Sequence, residues 1–310
     1  MLKQHHPARD FRLVRSLSMT PDAPRARWSE ATNSMAAETE QDTGTGQEDW
    51  RKVVPGLRSR QADGVLEVLL DRPAKRNAIT LEMYRALTEL FVDASADVAI
   101  RAVMISGAGG CFCSGADIAD FPRGEGQREA LIEHRTLTDG TTLAVQDCGK
   151  PVVASIAGFC LGGGLSLAMA CDFRLATPDA VFGIPASRLG VVYGVPDTRR
   201  LAALVGLTAA KRILYLGERM DAEAARRIGL VDEVATDAPA RAAALLAELA
   251  QRAPLSIAGA KATLDAIAAQ ELAVRGAALQ AAFEVAMDSH DFREAAAAFL
   301  ERRTPRFEGR

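Results

Sequence analysis

Metal-ligand spacings, a dominant sign of charge and paired cysteines are all missing from this 310-residue sequence. The four histidines, His5, His6, His134 and His290, form no HxxxH or Cys/His grouping, so no structural or catalytic metal centre is expected. Five cysteines, Cys111, Cys113, Cys148, Cys160 and Cys171, are odd in number, sit in apolar stretches and make no CxxC motif. They read as reduced thiols that fill a core in a cytoplasmic setting. With 37 Lys and Arg against 40 Asp and Glu, the formal net charge is -3, which offers no broad basic field to nucleic acid. Pro151 to Cys171 carry no charge over 21 positions, enough on length alone to span a bilayer. The glycine triplet at 162–164 splits that run into a β-rich half and a helix-rich half. A buried strand, a tight loop and a buried helix are therefore expected, with no membrane partner.

What is present is an ordinary globular composition, 48% hydrophobic and 25% charged, at a length that can bury a sizeable core. Residues 1–57 mix Arg, Ser, Thr, Pro, Glu and Gln without an apolar period and read as a disordered extension. From "GVLEVLLDRP" the pattern becomes regular, with a strand at about 64–70 and a helix capped by Thr80 that runs to about Ala94, Glu82 lying in its first turn. The strand "RAVMISG" and the loop "AGGCFCSGAD" follow, then a helix-prone segment at 126–147. The strand "PVVASIAG", the glycine triplet with its helix and the strand "DFRLATP" complete an alternation that favours an α/β core. From about 238 to 300 the chain turns to Ala, Leu, Glu and Arg with helical spacing, broken near Pro254 and Gly276. Such a tail suits packing against another subunit or capping of the same core. The expected organisation is an extension over 1–57, a core with the site over 58–247 and a helical region over 248–310.

Two loops carry the chemistry. In "LGGGLSLAMACD", residues 161–172, glycine removes the Cβ that would hold a ligand away, and the helix start leaves main-chain N–H groups unpaired. Gly163 is thus a candidate donor to an anion or oxyanion. A second loop, "CFCSGADI", lets Gly115 bring backbone equally close. The two loops, each following a strand of one sheet, could aim two amides at a single carbonyl oxygen. Rival motifs fit less well: "GAGGCF" has Phe112 where a dinucleotide fingerprint needs its third glycine, and no GK[ST] phosphate loop exists. "GLSLA" at 164–168 approaches a nucleophile elbow, so a serine hydrolase using Ser166 with Asp197 and His290 is an alternative.

The segments "LDRPAKRNAIT", "AVMISGAGGCFCSGADI", "KPVVASIAGFCLGGGLSLAMACDFRLAT", "FGIPASRLGVV", "LAALVGLTAAKRILYLGERMDAEAARRIGLVDEV" and "AAFLERRTPRFEGR" occur in order from about residue 60 to the end. They resemble the enoyl-CoA hydratase/isomerase, or crotonase, family. The resemblance implies an α/β spiral core of ββα units and a C-terminal helical region that trimerises, as a homotrimer or a dimer of trimers. It implies a CoA thioester substrate, lyase or isomerase chemistry of the kind met in fatty acid metabolism, and no cofactor beyond the CoA moiety of that substrate. By motif position the oxyanion donors are the amides of Ala116 and Gly163. CoA contacts fall on Ala74, Arg76 and Ala78, on Ser114, Gly115, Ala116, Asp117 and Ile118, and on Gly162, with Arg302 or Arg303 of a neighbouring subunit adding phosphate contacts. Asp117 is expected to fix its loop. The two glutamates of family hydratases are replaced by Ser166 and Ala186, neither of which can serve as a carboxylate base. Hydration by the paired-glutamate route is therefore not expected. Tyr193 as a hydrogen-bond donor, Asp197 as a base and Ser166 as a positioning group are the catalytic candidates that remain. A noncatalytic acyl-CoA carrier that kept the pocket and lost the chemistry is the alternative from another class.

Overall fold

In the computed structural model, which describes residues 49–121 and 127–310, regular structure begins at Arg51, inside the stretch read as an extension. Residues 1–48 of that stretch lie outside the described residues. Among the described residues ten strands are formed: β1 (Arg51–Val54), β2 (Leu57–Ala62), β3 (Val65–Leu70), β4 (Ala102–Gly107), β5 (Val152–Ile156), β6 (Phe159–Leu161), β7 (Phe173–Ala176), β8 (Val181–Gly183), β9 (Arg219–Asp221) and β10 (Glu233–Val234). Seven of them make one sheet in the order β1-β2-β3-β4-β5-β7-β10, antiparallel through β3 and parallel thereafter. A second sheet has the order β6-β8-β9.

The helices are α1 (Leu81–Ala96), α2 (Gln127–Gln146), α3 (Gly163–Ala170), α4 (Ala186–Leu189), α5 (Val195–Leu216), α6 (Ala222–Arg227), α7 (Ala238–Ala250), α8 (Pro254–Ala269), α9 (Leu272–Met287) and α10 (His290–Glu301). Both faces of the central strands are covered, which is why they read as continuous apolar runs. Along β4, Val103 and Ile105 enter the main core while Ala102 and Met104 face the other way, onto Ala242 and Leu246 of α7. Helix α7 therefore belongs to the sheet, and the expected boundary at 247/248 falls inside it. Thr80 caps α1 as expected, its Oγ1 accepting Met83 N at 3.2 Å.

Two expectations need correction. The glycine triplet does not follow a strand of the large sheet: the chain leaves β5, turns at Gly158 and adds β6 to the second sheet before reaching α3. The tail breaks at Gln270, which takes a left-handed conformation at φ 58° and closes α8, whereas Gly276 lies inside α9. A single glycine costs a helix only about 1 kcal/mol, too little by itself to end one. No helix among the described residues is long and apolar enough to cross a membrane.

Candidate functional site

Three segments distant in sequence are stitched side by side. Ser114 N donates to Arg76 O (2.9 Å), Ile79 N to Gly115 O (2.9 Å) and Asp117 N to Ile79 O (2.8 Å), which ties the loop after β4 to residues 76–79. On its other flank, Cys113 N donates to Phe159 O (2.7 Å) and Leu161 N to Cys113 O (2.9 Å), tying the same loop to β6. Asn77, fully buried, locks the assembly: Nδ2 donates to Ala108 O (2.9 Å) and Cys111 O (2.5 Å), and Oδ1 accepts Arg72 N (2.8 Å).

Since Gly115 and Asp117 spend their bonding groups on Ile79, alternation along extended backbone turns the Ala116 N–H to the opposite side. Gly163 stands on that side. As the first residue of α3, its N–H has no carbonyl one turn behind it. Among the described residues neither amide has a hydrogen-bond partner. A Cβ on Gly163 would lie 3.3 Å from Ala116 N and 2.6 Å from the Tyr84 hydroxyl, so glycine is needed there to keep the space open. Gly115 is needed for its backbone, held at φ +119°. Two amides on neighbouring loops, both without a partner among the described residues, are chemically able to hold a single oxygen carrying negative charge.

Behind the glycines lies a set of hydroxyls. The Ser166 hydroxyl, buried on α3, is hydrogen-bonded to the Tyr193 hydroxyl, which also donates to Gly162 O at 3.2 Å. Either hydroxyl of the Ser166–Tyr193 pair can be the donor. Burial pushes the Tyr193 phenol well above its usual value, and the nearby Asp197 charge adds to the shift, so Tyr193 stays protonated. Asp197 lies in the first turn of α5 and is turned inward, but it is already paired. Arg200 Nη1 donates to its Oδ1 at 2.7 Å, and Thr142 Oγ1 stands 3.4 Å away. Burial raises its pKa, while the Ser166 hydroxyl and the Arg200 guanidinium act against that rise.

Other expected residues are gathered around the same loops. Ala74, Arg76 and Ala78 lie along the turn that leads to Ile79, Arg76 and Asn77 both at positive φ, with Ser114 bonded to Arg76 O and Ile118 exposed. Asp117 holds its loop, as expected: it caps Ala119 N at 3.1 Å and pairs with Arg72 Nη2 at 2.8 Å, and these contacts lower its pKa. Ala186, in the second glutamate place, is buried on α4. The hydrolase constellation is not assembled. Ser166 bonds Tyr193, Asp197 bonds Arg200, and His290 sits at the start of α10 with Nδ1 3.9 Å from Asp291. Arg303 is also engaged, its fork bidentate to Glu294 at 2.6 and 2.8 Å and its Nε on Glu301 at 2.6 Å. The sequence reading missed Tyr84, Asn77 and Arg200. Only Arg200 had a local signal, its spacing of three from Asp197 on a helix. Cys113 and Cys160 are buried thiols; burial pushes Cys113 up to about 12, which leaves it unreactive. Among the described residues no cluster could hold a metal ion.

Comparison with known proteins bears on this geometry. The sequence model described as "Enoyl-CoA hydratase/isomerase" matches residues 60–310. The Bacillus subtilis (strain 168) protein YngF is 37% identical over 159 residues, 51% of this chain and 60% of its own length. A mitochondrial Delta(3,5)-Delta(2,4)-dienoyl-CoA isomerase of Mus musculus is 37% identical over 174 residues, 51% of this chain and 53% of its own. The chain thus spans little more than half the length of these curated relatives. The crystal structure of an enoyl-CoA hydratase from Bacillus anthracis superposes with a TM-score of 0.76 at 28% identity, covering 82% of this chain and all (100%) of that one.

Proposed function

This chain belongs to the enoyl-CoA hydratase/isomerase family, and from that premise we propose that it is an enzyme acting on an acyl- or enoyl-CoA thioester. The thioester oxygen sits between the amides of Ala116 and Gly163 and is stabilised there as charge develops towards an enolate. One observation carries this reading: among the described residues neither amide has a hydrogen-bond partner, and Ala116 N lies 3.3 Å from where a Gly163 Cβ would stand. Preorganised donors of this kind each contribute about 3–4 kcal/mol at the transition state.

The acyl end of this site meets hydroxyls where family hydratases carry carboxylates. Ser166 and Tyr193 are neutral across the working pH range and bonded to each other, so they position substrate or water and do not abstract a proton. Asp197 is a buried ion-pair partner of Arg200 and holds α5 against α2 through Thr142. Paired-glutamate hydration is therefore replaced by a reaction that draws on enolate stabilisation itself. The CoA moiety follows the strip from Ala74 and Arg76 to Ser114 and Ile118. Copies of the chain associate as trimers through α8–α10, whose apolar side chains are left exposed in a single copy, Val274 and Phe299 at 84% each.

A panel of enoyl-, dienoyl-, malonyl-type and β-keto-CoA thioesters, incubated with the protein and followed by mass spectrometry, tests the reading. Turnover of at least one class at an enzyme-like rate is expected. Tight binding with every thioester recovered unchanged would make the protein a carrier and overturn the proposal.

A further inference from the structure

We propose that the Tyr84 hydroxyl is a third hydrogen-bond donor to the thioester oxygen, beside the amides of Ala116 and Gly163; this rests on the reading of that amide pair given above. Tyr84 lies on α1 and is 2% exposed. Its ring meets His134 of α2 edge-on, with centroids 6.3 Å apart, and His134 leans in turn on Phe121 at 4.9 Å. At the other end its backbone carbonyl accepts the hydroxyls of Thr88 and Thr141, each at 3.0 Å. The side chain is thus fixed between two helices and aimed at α3.

Phenylalanine would satisfy all of that packing, so the hydroxyl itself needs an explanation. A buried phenol ordinarily finds a partner, because its desolvation is otherwise uncompensated. Tyr84 Oη forms no hydrogen bond among the described residues, though it is not one of the fully enclosed polar atoms left unpaired there, Arg200 Nη2 and His290 Nδ1. The neighbouring hydroxyls of Ser166 and Tyr193 are committed to each other and to Gly162 O. Where it points is informative. Tyr84 Oη lies 2.6 Å, and Ala116 N 3.3 Å, from the same unoccupied Cβ position of Gly163. An acceptor held by the two amides is therefore within reach of the phenol as well. Burial raises the phenol's pKa, so Tyr84 remains a donor at every working pH and is not a candidate base. Donation costs no reorganisation, since the ring is already pinned, and it strengthens as the oxygen gains charge.

The test uses the full chain and 4-(dimethylamino)cinnamoyl-CoA, whose absorbance moves to longer wavelength as its carbonyl is polarised. Parent, Tyr84→Phe and Gly163→Ala proteins are compared, together with turnover of the thioester that the panel identifies. Tyr84→Phe is expected to bind the probe with nearly unchanged affinity, to show a smaller red shift, and to lose roughly 10- to 100-fold in kcat with KM nearly unchanged. An unchanged shift and kcat overturn the proposal. So does an unchanged shift with new activity on bulkier acyl groups, which would make Tyr84 a wall of the acyl pocket. The two failures are distinguishable: an unchanged shift confined to Tyr84→Phe removes the phenol alone, whereas a full shift in Gly163→Ala, whose methyl crowds the phenol and Ala116 N alike, overturns the amide reading and this proposal with it. No shift in the parent overturns both.

Discussion

Helices α3 and α9 are both rich in alanine and other apolar residues, yet they have opposite fates. In α3 every residue from Gly164 to Ala170 is buried, whereas α9 buries none of its own. The difference is one of surroundings. Helix α3 is enclosed by the chain's own core, between the strands that feed it and the helices above it. Helix α9 packs on α8 and shows the rest of its surface to water, with a groove of about 710 Å³ beside it lined by Leu264, Phe283, Met287 and Phe292. A buried apolar helix can hold chemistry rigidly; an exposed one is incomplete until something covers it.

The largest effect should come from filling the space at the start of α3. Gly163→Ala places a methyl 3.3 Å from Ala116 N and against the Tyr84 hydroxyl, at a residue whose φ an alanine tolerates. The thioester oxygen loses access to all the donors at once, so turnover should fall on the order of 10³-fold or more, about 4 kcal/mol. Circular dichroism should stay near that of the parent, and the melting temperature should fall modestly because the methyl presses on the fixed Tyr84 hydroxyl. Activity within a few fold of the parent would break the claim that the buried helix carries the chemistry.

Next in size is the buried pair behind it. Asp197→Ala leaves the Arg200 guanidinium enclosed without its carboxylate, Nη1 keeping only Thr142 Oγ1 at 3.1 Å and Nη2 unpaired among the described residues. An uncompensated buried charge should cost about 3 kcal/mol, read by denaturant unfolding, and Asp197→Ala combined with Arg200→Met should recover most of it. An unfolding midpoint equal to the parent's would show that the pair does not hold α5 in place.

What was legible in the sequence follows the same division between local and long-range causes. Thr80 as a cap, Gly115 and Gly163 as close-approach positions and the strand-helix alternation are all written in residues near one another. Strands β6, β8 and β9 have three residues each, too few for a period, and they exist only because distant segments pair. Strand β1 was hidden by its charged residues, Arg51 and Lys52, which sit on the exposed edge of the sheet. Tyr84 reads as a core aromatic on α1, and nothing near it in sequence reveals that its hydroxyl faces a glycine of another helix. The family motifs named Ala116 and Gly163, whose amides lie on neighbouring loops without partners among the described residues. The inward turn of Asp197 onto Arg200, and with it the loss of a free carboxylate, needed the packed structure.

The smallest expected effect, and the one that tests the other half of the comparison, lies on the exposed helices. Phe283 is 59% exposed on α9, so Phe283→Asp removes little from the fold of a single chain. If copies of the chain cover that face, the same change places a charge in an apolar contact. Association should then weaken by about 2 kcal/mol for each side chain removed from cover, a few tens of fold in the dissociation constant. Sedimentation velocity at micromolar concentration should find the parent as a trimer or a multiple of it, and the variant shifted towards monomer with its unfolding midpoint, read as a monomer, unchanged. A parent that sediments as a monomer at every concentration would leave α9 with another kind of partner. A variant that loses both assembly and fold would show that α9 is part of the core after all, and that the contrast with α3 is one of degree.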